Sequence, residues 1–240
     1  MKRLIPILLF FMSSCSFYNY QMYSVKPVNN KSLFFEDENV SISYNFWSKG
    51  GSVSFLITNK TSEMLAINLE RCFFVMNGMT YDYYENLTTT SSSYSAVSAF
   101  RYNKKKSIGS NSSRSVTESK VLFIPSGASR SIVKFNINRS FLTLCEIPDF
   151  PKKKDEDTVY YTIENSPFVF SNIITYSTPS IALKTLKNEF FIDEISNKSQ
   201  EEVTEYGYRK ECGEEVGMRK LFFKNVRSDA FYISVLDPNR

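Results

Sequence analysis

Alternation of apolar and polar side chains at every second position constrains this chain more than any other feature. Val40, Ile42, Tyr44 and Phe46 recur at period two, the spacing that turns one face of a β-strand toward a core. Trp47 closes that run, and Gly50-Gly51 supplies the positive φ of a turn. Val53, Phe55 and Ile57 alternate next, Asn59-Lys60-Thr61 turns the chain, and Leu65, Ile67 and Leu69 alternate again. Residues 72–76 are almost continuously apolar, as in a strand covered on both faces. Asn77-Gly78 is the strongest hairpin signal in the chain, and residues 79–84 return as its partner. Strand-like runs follow at 121–124, 132–137, 159–163, 168–176, 190–195 and 231–236. Short strands with frequent turns predict a mainly β fold. The expected architecture is an antiparallel β-sandwich, immunoglobulin-like or related, over residues 39–178, with a small β-rich or α+β extension over 179–240.

Three stretches break the pattern. Residues 86–119 are dominated by Ser and Thr around Lys104-Lys105-Lys106 and read as a long surface loop. Residues 15–38 read as a spacer between the leader and the folded domain. Ser199 and Glu202 have the spacing of a capping box, which opens a short helix through Glu205. Residues 202–210 also alternate loosely as a strand would, and Gly207 with Tyr206 and Tyr208 tips the balance toward strand.

The first fifteen residues point to export. Lys2 and Arg3 precede an apolar run over residues 4–12. A secretory core is roughly 7–15 residues long, whereas crossing a bilayer takes about 20. Pro6 further opposes a regular spanning helix. Ser13, Ser14 and Cys15 follow, and the leader resembles bacterial lipoprotein signal peptides, with Met12 where Leu is usual. That resemblance implies removal of residues 1–14 and acylation of Cys15 on its sulfur and freed amine. The alternative is an ordinary secretory signal beside a chance cysteine. Each buried methylene contributes about 0.8 kcal/mol, so one chain holds marginally and two or three hold durably.

Composition excludes several chemistries. Hydrophobic residues make up 42% of the chain, enough for a packed core. There are 29 Lys and Arg against 25 Asp and Glu, and loss of Lys2 and Arg3 brings the two nearly into balance, so no nucleic-acid partner is expected. The chain has no histidine, which removes Ser-His-Asp and Cys-His nucleophiles and His-bearing zinc sites. With Cys15 committed to lipid, Cys72, Cys145 and Cys212 remain. Cys72 lies in an apolar run, so Cys145 and Cys212 are the candidate disulfide pair. No CxxC pair, EF-hand, Walker loop or dinucleotide fingerprint occurs, so neither a cofactor nor a metal is expected, although Asp155-Glu156-Asp157 could attract calcium weakly.

Aromatic residues are the remaining signal: 21 Phe, 15 Tyr and a single Trp. Tyr81, Asp82, Tyr83 and Tyr84, with Trp47, are candidate ligand contacts, because ring faces suit sugar rings. On a strand, Tyr81 and Tyr83 share one face while Asp82 and Tyr84 take the other, so packing against neighbouring strands explains the run equally well. Acidic pairs such as Asp193-Glu194 and Glu201-Glu202 are read as solvated, since glycoside hydrolysis needs two carboxylates facing one bond.

Several runs together resemble uncharacterised lipoproteins of the Bacteroides group. They are residues 43–47, Gly50-Gly51, residues 55–61, Phe73-Phe74, Asn77-Gly78, residues 81–84, and Ser166-Pro167-Phe168 leading into residues 172–176. The likeness covers most of residues 40–178 and implies an exported lipoprotein of a Gram-negative envelope, with no activity attached. Ser16 resembles the choice that permits outer-membrane sorting, and residues 17–20 lack the acidic residues of surface-exported members. A lipid-anchored outer-membrane protein facing the periplasm is therefore expected. Its expected role is non-catalytic, binding a protein or glycan partner or supporting the envelope. The alternatives are a carboxylate-dependent enzyme acting on glycans and a surface adhesin with the Ser-rich loop at its tip.

Overall fold

A computed structural model describes residues 17–29, 32–101, 104–151 and 157–237. Cys15, its leader, Lys152-Lys153-Lys154 and Asp155-Glu156 lie outside the described residues. The chain is mainly β, with antiparallel sheets in a sandwich-like arrangement and one sheet curled into a half-barrel. The smaller sheet comprises β2 (Phe34–Glu36), β3 (Val40–Asn45), β4 (Ser52–Asn59) and β11 (Ser129–Asn136), in the order β11-β4-β3-β2. The larger sheet comprises β1 (Tyr18–Pro27), β5 (Leu65–Asn68), β10 (Val121–Ile124), β13 (Val169–Ser177), β14 (Lys184–Ser199) and β17 (Ala230–Leu236), in the order β10-β5-β13-β14-β1-β17. The hairpin of β6 (Phe73–Met76) and β7 (Met79–Asp82) joins it through β13, and β12 (Asp157–Tyr160) joins through β14.

Period-two alternation builds the core as expected. Val40, Ile42 and Tyr44 of β3 and Val53, Phe55 and Ile57 of β4 are buried, as are Phe170, Ile174, Phe190, Ile192 and Phe231 of the larger sheet. Burying such a side chain contributes about 1.5–3 kcal/mol. A polar chain runs through this interior. Tyr83 Oη donates to Asn172 Oδ1 (2.7 Å), Asn172 Nδ2 donates to Tyr44 Oη (3.1 Å), and Tyr44 Oη donates to Asn188 Oδ1 (2.9 Å). All four residues are buried, and each group finds a partner, as interior polar groups require.

The structure corrects several expectations. Residues 18–27 are not a spacer: they form β1, paired with β14 on one side and β17 on the other. Its inward positions are Asn19, Gln21, Tyr23 and Val25, so two of the four are polar and mask the alternation. Gln21 is fully buried because it donates to the Leu142 carbonyl and Asn197 Oδ1 and accepts from the Leu142 amide and the Tyr23 hydroxyl. Nor is there a separate extension after residue 178. β14 pairs with β13 from Lys184 to Phe191, with Asn188 level with Asn172, and β17 closes on β1.

Residues 86–119 contain a ribbon rather than an irregular loop: β8 (Thr88–Arg101) pairs antiparallel with β9 (Lys104–Thr117). Backbone pairing along a Ser/Thr sequence needs no apolar face, so no alternation advertised it. The Ser199–Glu202 capping box is present, with Ser199 N and Oγ both donating to Glu202 Oε2 at 2.7 Å. It opens only one helical turn, α1 (Gln200–Val203), before β15 (Thr204–Glu211) and β16 (Glu214–Phe223) form a second ribbon. Cys145 and Cys212 are free and exposed, not bridged. Cys212 sits at the turn of the β15–β16 ribbon with φ 51°, while Cys145 lies in the segment after β11.

Candidate binding groove

The outer face of β1 presents Tyr20, Met22 and Ser24. Met22 is level with Ser196 of β14 and Tyr232 of β17, and Ser24 with Glu194 and Ala230. These three strands make a floor. Trp47, which follows β3, stands at one end of it. Its ring meets Phe223 edge-on at 5.1 Å and Tyr232 at 5.6 Å, and Phe223 in turn lies 4.5 Å from Tyr232 and 5.7 Å from Tyr20. Glu202 and Val203 of α1, with Asn225 and Arg227 from the segment before β17, form the rim. The resulting pocket holds about 190 Å³.

Arg227 divides this pocket from a second hollow of about 630 Å³, bordered by Lys26, Leu33, Asp193 and Asp229. Its guanidinium donates to Asp229 through Nε at 2.8 Å and Nη2 at 3.3 Å, and Nη2 reaches Ser24 Oγ at 3.4 Å. Asp229 raises the Arg227 pKa, partial burial opposes this, and Glu194 and Asp193 add to the rise, so the guanidinium is fixed as a cation. The two hollows share Ser24 and Arg227 and form one groove.

A β-bulge shapes the middle of the groove. Ser24 pairs with Glu194 but Val25 pairs with Ile192, so Asp193 is an extra residue on β14. Bulges re-aim side chains, and here two successive acids both border the groove, Glu194 in the first hollow and Asp193 in the second. Asp193 Oδ1 is buried with no hydrogen-bond partner among the described residues. Glu202 is different, because its carboxylate is held by the Ser199 cap. Trp47 beside carboxylates and cations suits a ligand with an apolar ring face and hydroxyls at its edge. Asp193 and Glu194 are adjacent on one strand, and Glu202 of α1 borders the first hollow with Glu194.

Of the aromatic candidates, only Trp47 belongs to this groove. Tyr81 is exposed on β7 and borders a separate apolar hollow with Phe74, Phe135 and Phe168. Asp82 is exposed at the end of β7. Tyr83 is 2% exposed and its hydroxyl is taken by Asn172, and burial pushes its pKa far up. Tyr84 donates to Asn86 Oδ1 at 2.8 Å beneath the Lys120 ammonium, 5.4 Å from its ring. Asp193-Glu194 stood out in the sequence only as an acidic pair. Arg227, Asp229, Tyr232 and Phe223 carried no signal, since the groove exists only once β1, β14 and β17 are in register. Among the described residues no group of three or more Cys, Asp or Glu could hold a metal ion, and no helix is long and apolar enough to cross a membrane.

No family model, curated protein or solved structure matches this chain.

Proposed function

We propose that this chain is a membrane-anchored envelope lipoprotein whose outer-sheet groove captures a glycan without turning it over. The observation that carries the reading is Trp47, the single tryptophan of the chain, braced by Phe223 and Tyr232 and lining a groove with Glu194, Glu202 and Arg227. Ring faces take up the C–H face of a sugar, and charged hydrogen-bonding groups take up its hydroxyls. The leader ending at Cys15 supports the tether, and the lack of acids after Cys15 supports the periplasmic face of the outer membrane. A glycan array probed with wild type and Trp47→Ala tests the reading. Binding to a defined saccharide set that the variant loses supports it; identical binding by both rejects it. Robust turnover of any bound glycan would move the protein to the enzyme alternative.

A further inference from the structure

The β8–β9 ribbon stands apart from both sheets. β8 pairs with β9 alone, over fourteen rungs from Thr88–Thr117 at the base to Arg101–Lys104 at the far end. At about 3.3 Å per residue, the far end lies roughly 45 Å from the base. Charge is spread unevenly along this arm. Residues 86–117 include no Asp or Glu, and their cations are Arg101, Lys104, Lys105, Lys106 and Arg114. Antiparallel register brings four of those five onto three successive rungs, Ala99–Lys106, Phe100–Lys105 and Arg101–Lys104. Toward the base, Arg114, level with Ser91, is the single charge. The flanking acids, Glu85 and Glu118, sit at the base and are met by Lys134 at 3.5 and 3.1 Å.

We propose that the end of this ribbon is an attachment point for an anionic phospholipid surface. Backbone register gathers four cations on the last three rungs of the arm, and residues 86–117 bring no acid with them. Each cation near an anionic bilayer strengthens binding about fivefold. Phe100 shares these rungs, and Phe is among the residues that settle at the bilayer–water boundary. Nucleic acid fits less well, because charge over the chain as a whole is close to balanced. The contact does not rest on acylation of Cys15 and acts beside it.

Co-flotation of the full chain with vesicles of phosphatidylcholine, alone or with three parts in ten of phosphatidylglycerol, tests the proposal. The leader is common to every variant and cancels in the comparison. At low salt the phosphatidylglycerol vesicles are expected to be preferred roughly six hundredfold, with the preference falling as salt screens it. Lys104→Gln/Lys105→Gln/Lys106→Gln should reduce that preference to about fivefold or less. Lys152→Gln/Lys153→Gln/Lys154→Gln changes net charge equally and should keep it. Matching circular dichroism spectra establish that the variants are folded. The proposal is overturned if wild type shows no headgroup preference, if the ribbon variant keeps it, or if the control variant loses it equally. Retention on a sulfated polysaccharide without preference for phosphatidylglycerol would assign the tip to glycan and overturn it as well.

Discussion

Tyr83 donates a hydrogen bond from its hydroxyl to Asn172 Oδ1 across 2.7 Å inside the sandwich, so a residue that looks like a ligand platform in the sequence is an interior strut. Asn172 is fully buried, and its amide in turn serves Tyr44. Tyr83→Phe leaves Asn172 Oδ1 without that donor and is expected to lower stability by about 1–3 kcal/mol. Urea denaturation measures the loss. Glycan binding by the folded variant should be unchanged, because Tyr83 does not border the groove.

The two glycines before β4 differ from the hairpin glycine after β6. A Cβ on Gly51, at φ +67°, would lie 2.7 Å from Phe231 Cγ in the core, whereas a Cβ on Gly78, at φ +81°, meets nothing within 4 Å. Gly78→Ala therefore carries only the backbone strain of about 1 kcal/mol, and Gly51→Ala adds overpacking of about 1–3 kcal/mol. Thermal midpoints of the two variants should fall in that order.

Acid lability is expected from Asp37. Partial burial opposes its ionisation, but donation from the Tyr176 hydroxyl, the Val40 and Asn39 amides and Lys184 outweighs this and lowers its pKa to about 2. A carboxylate depressed in the folded state stabilises above its unfolded value, here 3.8, and that stability is lost as pH falls through the folded value. Discounted for solvent, the contribution is about 1–2 kcal/mol, lost between about pH 4 and pH 2. Asp37→Asn should flatten that limb of the stability–pH curve, measured by urea titration at each pH.

Thiol reactivity separates the three cysteines. Burial pushes the Cys72 thiol up to about 11, against a weaker lowering by the Thr175 amide, while Cys145 and Cys212 are exposed. In Cys15→Ala, Ellman's reagent should modify two thiols quickly under native conditions and the third only on unfolding. The same variant should leave the membrane fraction if Cys15 carries the acyl chains.

The fold class was legible because the inward positions of β3 and β4 are apolar up to Asn59, the last residue of β4. β1 was not, because Asn19 and Gln21 occupy inward positions, and Gln21 is satisfied by the distant Leu142 and Asn197, which no local pattern reveals. The β8–β9 ribbon was hidden for a related reason: its pairing is backbone to backbone in a Ser/Thr sequence. Of the groove, Trp47 was legible as an isolated aromatic beside a turn. Its neighbours were not, since Ser24 and Arg227 meet only through the register of β1 against β14 and β17. The bulge at Asp193 depends on which residue slips between two strands, a choice made by tertiary pairing.

Because Trp47 is the only tryptophan, its emission reports on the groove alone. Titration of the folded protein with envelope saccharides while following that emission tests glycan capture most directly. A saturable change that Arg227→Ala weakens at least tenfold is the expected result. Emission that stays flat to millimolar saccharide, or a change that Arg227→Ala leaves intact, would contradict the account.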